Sequence, residues 1–151
     1  MKKHILIAAL IFSSACFGQR FRVNGQNWVK TIQASDISDA GNDYISSYES
    51  KSNQSKITVS KNNNYTDLYI WIYKVDDKWH PDLNLQIRRT NNRSNISNGT
   101  QYQTVTNNYG YFFELYGNAS RIPIQYKISG LSVLLPVESY STQIVFTIWD
   151  W

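Results

Sequence analysis

Residues 67–75 read Asp-Leu-Tyr-Ile-Trp-Ile-Tyr-Lys-Val. In an extended chain, Leu68, Ile70 and Ile72 fall on one face and Tyr69, Trp71 and Tyr73 on the other. A helix would scatter both sets around its axis. β-Branched and aromatic side chains also suit a pleated surface. The stretch predicts a central strand, with aliphatics in the core and aromatics on a second, partly covered face.

The same alternation recurs on both sides of it. Ile57 and Val59 mark a strand over residues 55–61; Leu83, Leu85 and Ile87 mark the next. Ile122, Ile124, Tyr126 and Ile128 alternate up to Gly130, and Ile144, Phe146 and Ile148 form the last strand. Val29, Ile32 and Ala34 open the domain, and residues 133–135 read as a short strand. Residues 101–106 and 109–115 read as two strands around an Asn107-Asn108 turn. Asn62-Asn63-Asn64, Asn91-Asn92 and Asn98-Gly99 fall between apolar runs, where Asn supplies turns and left-handed conformations. Residues 36–53 are the least regular, with Ser35-Asp36 able to cap one helical turn. About eight short strands at this spacing indicate an all-β sandwich or barrel.

The chain has 151 residues, which suits one domain. Its N-terminus reads as an export leader of bacterial style. Lys2 and Lys3 precede the apolar run Ile5 to Phe12, and small residues follow at Ser13, Ser14 and Ala15. The run is too short to span a bilayer as a helix. Cleavage after Gly18 divides the chain into a 1–18 secretory signal peptide and a single 19–151 domain. Lipidation of Cys16 is a competing reading, but Ser13 stands where a lipobox normally has a bulky aliphatic residue. The expected location is therefore secreted, cell-surface or periplasmic, with no transmembrane helix in the mature chain.

Removing Lys2 and Lys3 leaves 13 basic and 11 acidic residues, so the net charge falls from +4 to +2. With no Lys/Arg-rich stripe left, no nucleic-acid partner is expected. Arg88, Arg89 and Arg93 read as a solvated strand end. Aromatics are 15% of the chain, far too many for a disordered one.

His80 is the single histidine of the mature chain, beside Trp79, Pro81 and the carboxylates Asp76, Asp77 and Asp82. A Ser-His-Asp triad would have to use His80, yet no Gly-x-Ser-x-Gly elbow accompanies it. One imidazole is too few for a zinc site, and the Asp spacing does not match a calcium loop. No catalytic residue, metal or cofactor is therefore assigned, and an enzyme is not expected. Five Trp and eleven Tyr invite a carbohydrate reading, since flat rings stack on sugar faces. Trp79 and His80 in their turn, and Tyr109, Tyr111 and Tyr116 around Gly110 and Gly117, are the ligand candidates.

The run Leu131 to Pro136, then Ser139-Tyr140-Ser141 and the strand at residues 143–148, resembles the ending of spore-coat-U-type and chaperone–usher pilin-like secreted proteins. The resemblance covers about 30 residues. It implies an immunoglobulin-like antiparallel β-sandwich of about 7–9 short strands. It also implies a role in adhesion or fimbria-like surface assembly, with self or other surface subunits joined by β-strand addition. Phe21, Val23, Gly25 and Val29, with Asn27, share one parity and form a candidate donor strand; pairing within the chain's own sheet is the alternative. Many such proteins carry a disulfide, whereas a chain cleaved after Gly18 has no cysteine. The other functional readings are a carbohydrate-binding module using exposed Trp and Tyr, and a small outer-membrane β-barrel. Eight strands of about ten residues would fit the length of a barrel.

Overall fold

The computed structural model describes residues 3–11, 20–37, 43–60 and 66–150. Cys16, Gly18, Trp151 and the Asn62-Asn63-Asn64 turn lie outside them. Among the described residues, twelve strands run in chain order: β1 Lys3–Ile11, β2 Arg20–Gly25, β3 Trp28–Ile32, β4 Ser47–Glu49, β5 Ser55–Ser60 and β6 Asp67–Lys78. Then come β7 Asn84–Arg89, β8 Ile96–Ser97, β9 Gln103–Thr104, β10 Gly110–Tyr116, β11 Ala119–Ser129 and β12 Ser139–Asp150. β4, β8 and β9 have only two or three residues each. Between β3 and β4, the Asp36 carboxylate accepts the Gln33 N–H at 2.7 Å and caps one 3-10 turn, Ala34–Asp36.

The strands form two sheets, as expected for an all-β sandwich. The first has the order β3-β1-β12-β6-β10-β8 and the second β2-β5-β11-β7-β9, with β4 also paired to β11. The described pairings are antiparallel except β1 with β12, which run parallel. The inner faces meet in one apolar core. Leu68, Ile70 and Ile72 from β6, with Ile144 and Phe146 from β12, face Ile57, Leu85, Ile87, Ile122, Ile124 and Ile128 across it. Each such side chain contributes about 1.5–3 kcal/mol by leaving water. The central strand is longer than the sequence suggests, because Asp76 to Lys78 continue the ladder with β12.

Three local expectations are corrected. Asn107-Asn108 is not a hairpin turn: β9 pairs with β7 in the second sheet and β10 with β6 in the first. The Asn107 side chain fixes this crossing, donating from Nδ2 to the Asp76 carboxylate at 2.9 Å and to the Lys74 carbonyl at 3.3 Å. Asn98 does take a left-handed conformation, as expected for Asn98-Gly99, with φ 67°. Residues 133–135 form a turn, closed by the Leu135 N–H on the Ser132 carbonyl at 3.2 Å. Leu131 and Leu135 are buried, but Leu134 is 89% exposed.

At the domain's opening, Trp28 and Ile32 point inward while Val29 is 51% exposed. Gln26 and Asn27 carry the chain from one sheet to the other and shift its phase, so Phe21 to Val29 do not share one face. Gly130 ends β11 with φ +83°, where an added Cβ would sit 2.0 Å from the Asp82 carbonyl oxygen. Only glycine fits that approach.

Residues 3–11, where an export leader is expected, form β1. Its backbone lies between β12, in register from His4 with Ser139 to Ile11 with Phe146, and β3.

Candidate functional site

The outer face of the first sheet carries the densest cluster of aromatic rings. Inward-facing Leu68, Ile70 and Ile72 send Tyr69, Trp71 and Tyr73 outward on β6. On one side, β12 presents Trp149, in register with Tyr69; on the other, β10 presents Tyr111, in register with Trp71. The rings form a continuous chain. Tyr69 lies 6.4 Å from Tyr111, Tyr111 5.8 Å from Trp71, and Trp71 5.7 Å from Trp149. Trp149 lies 6.3 Å from Tyr109, and Tyr109 4.6 Å from Tyr73. The contacts are tilted or edge-to-face, the favourable geometry for aromatic quadrupoles.

A bulge between Tyr111 and Phe113 makes the face possible. It keeps Tyr111 outward while Phe112 and Phe113 are both fully buried. Tyr109 at 57% and Trp149 at 42% exposure are the rings most open to solvent. The Trp71 indole N–H is buried beneath them without an acceptor among the described residues. Glu114 beside Tyr69 pushes that hydroxyl above the usual phenol range, and burial does the same for Tyr73. These two phenols therefore stay protonated at neutral pH. The face offers apolar ring surface and hydroxyl donors without a charged nucleophile among its rings.

The turn candidates lie elsewhere, at one end of the sandwich. Trp79 packs against the core, and its indole N–H donates to the Leu83 carbonyl at 2.9 Å. The Lys74 ammonium sits 5.6 Å from its ring centroid. With Lys74, Asp76, Asn84 and Thr104, Trp79 lines a cavity of about 420 Å³. Burial alone would raise the Asp76 carboxyl. Bonds from Lys74, from Asn107 at 2.9 Å and from Thr142 at 2.7 Å outweigh it and hold the group below the usual carboxylate range.

His80 belongs to the same turn. Its Nδ1 accepts the Asp82 N–H at 3.3 Å, and its ring meets Tyr140 edge-on at 6.0 Å. The three nearby aspartates do not converge. Asp76 is bonded as above, Asp77 accepts the Ser141 hydroxyl at 3.0 Å, and Asp82 lies beside His80.

Of the five ligand candidates, Tyr109 and Tyr111 belong to the ring cluster. Tyr116 lies farther along β10 on the same face, half-exposed beyond Glu114. Trp79 and His80 form a separate group. Tyr69, Trp71, Tyr73 and Trp149 are the residues the sequence reading did not assign to a site. Their parity was visible, but not that β10 and β12 would flank β6. Of the donor-strand candidates, Phe21, Val23 and Gly25 lie in β2 and pair with Val59, Ile57 and Ser55 of their own chain, whereas Val29 lies in β3.

The arginine cluster is not a solvated strand end. Arg89 is 2% exposed, and its guanidinium donates to the carbonyls of Asn91, Asn98 and, at 3.0 Å, Ile96. It pins residues 90–99 to the end of β7.

No family model matches the chain, and no curated protein matches its sequence.

Proposed function

We propose that the protein is an exported, non-enzymatic β-sandwich that acts in adhesion at the cell surface, holding glycan on the aromatic outer face of its first sheet. The six-ring chain from Tyr69 to Tyr73 carries this reading. Contiguous exposed aromatic surface on a monomer marks a contact site. Rings offer flat apolar area to sugar C–H faces, while Tyr hydroxyls supply hydrogen bonds. The cluster is built on three paired strands, so its rings need little ordering on binding.

The test is retention of the purified protein on a panel of neutral polysaccharides. Tyr109→Ala and Trp149→Ala should each weaken binding to the retained polymer about tenfold, the loss of about 1.4 kcal/mol. Trp79→Ala should leave it unchanged. Binding lost with Trp79→Ala but kept in the other two variants would move the site to the turn.

A second reading, assembly by strand addition, rests on β1. If residues 1–18 are removed on export, the β12 edge from Ser139 to Phe146 loses its parallel neighbour, and β3 loses its partner. Such a vacancy takes an extended segment of another subunit by main-chain pairing. Hydrogen exchange on the processed form tests it. Fast exchange along residues 139–146 in isolated subunits, slowed in assemblies, supports strand addition; protection in the monomer refutes it.

A further inference from the structure

The outer face of the second sheet is as basic as that of the first is aromatic. The strands β2, β4, β5, β7, β9 and β11 contain one acidic residue, Glu49. Inward-facing Val23, Ile57, Ile87 and Ile124 leave the alternate positions to solvent. Those positions include Arg20 and Arg22 on β2, Lys56 on β5, Arg88 on β7 and Lys127 on β11. Arg121 adds a sixth cation at the β11 bulge, where its N–H donates to the Thr58 hydroxyl at 3.1 Å. The ion pairs among the described residues, Lys30–Asp36, Lys74–Asp76 and His80–Asp82, all lie away from this face.

Part of the face is held in place. Arg88 and Lys127 both lie over the Tyr102 ring, 4.5 and 4.0 Å from its centroid. Arg88 also donates twice to the Gln125 side-chain Oε1, at 3.0 and 2.8 Å. Beside Lys56, a polar groove of about 340 Å³ is lined by Asn24, Lys51, Asn53 and Gln54. Thr58, Ser60 and Gln86 place hydroxyl and amide groups between the cations.

We propose that this face binds an acidic polysaccharide carrying carboxylate or sulfate groups. Three observations select that class of polyanion. The interleaved hydroxyls and amides match sugar hydroxyls as well as anionic groups. The large apolar side chains that are exposed lie on strands of the first sheet or in connecting segments, so the strands of this face have nothing to insert into a membrane. Its ring, Tyr102, is covered by cations and cannot stack on a nucleobase.

The two outer faces of a sandwich point in opposite directions, so the molecule would bridge two polymers. That bridging rests on the glycan reading of the aromatic face; the polyanion site itself does not.

The test is salt elution of the purified protein from immobilised heparin (sulfated) and polygalacturonate (carboxylated). Retention on either, lost as salt rises, supports the proposal. Combining Arg22→Gln, Lys56→Gln, Arg121→Gln and Lys127→Gln should weaken binding at least tenfold with an unchanged circular dichroism spectrum. The pair Tyr109→Ala and Trp149→Ala should leave it intact, which separates this site from the aromatic one. Equal elution of the fourfold variant and wild type would overturn the proposal. So would tighter retention on duplex DNA or on phosphatidylglycerol vesicles than on either polysaccharide.

Discussion

Replacing Arg89 with methionine tests how the end of β7 is built. The wild-type guanidinium is buried and meets three neutral carbonyls, with no carboxylate among its bonded partners. Met keeps most of the stem volume and removes every donor. Each carbonyl stranded in a buried position costs about 1–3 kcal/mol. Two effects offset this: the cation no longer has to be desolvated, and water reaches some of a surface loop. The net loss expected is about 2–4 kcal/mol, within the range for a broken buried polar network.

For a domain of this size that corresponds to a fall in Tm of about 7–14 °C. The backbone N–H of residue 89 still donates to the Gly99 carbonyl at 2.7 Å, so β7 itself should survive. Urea unfolding followed by tryptophan fluorescence measures the change. Arg89→Lys should recover only part of it, since an ammonium cannot span three diverging carbonyls. A loss under about 0.5 kcal/mol for Arg89→Met would refute the reasoning and mean that solvent satisfies residues 91–98 without help.

The Asp76 carboxyl has a folded pKa below its unfolded value of about 3.9. Its contribution to stability is therefore present above that value and lost as pH falls through the folded pKa. Asp76→Asn should flatten the acid limb of the stability–pH profile; an unchanged slope would exclude Asp76 as its source. Gly130→Ala should destabilise by about 2 kcal/mol or more, since strain and collision with the Asp82 carbonyl add. A wild-type Tm in that variant would mean that the approach of β11 to residue 82 relaxes freely.

Strand existence was legible wherever side-chain period decided it. The alternation in β6, β11 and β12 follows from one face being buried, and those faces are the ones buried. Connectivity was not legible. Asn107-Asn108 has hairpin composition, yet the chain changes sheets there, a result of long-range pairings of β9 with β7 and β10 with β6 that local composition does not carry. The bulge after Tyr111 defeats strict alternation, because Phe112 and Phe113 both enter the core. Arg89 gave no signal, since its ligands are backbone carbonyls that any sequence supplies. The parity of Tyr69, Trp71 and Tyr73 was visible, but the contacts of Trp71 with Tyr111 and Trp149 come from neighbouring strands. The basic face was invisible in linear order because its cations come singly from separate strands. Export, adhesion and glycan binding remain the proposals that these surfaces motivate.

The most direct measurement is calorimetric titration of the polysaccharide best retained by the wild type, against wild type and the Tyr109→Ala/Trp149→Ala double variant. Saturable binding by the wild type, weakened at least tenfold in a folded double variant, is the predicted result. Equal affinity in both proteins would contradict the central claim, because the two most exposed rings of the six-ring chain would then not touch the ligand.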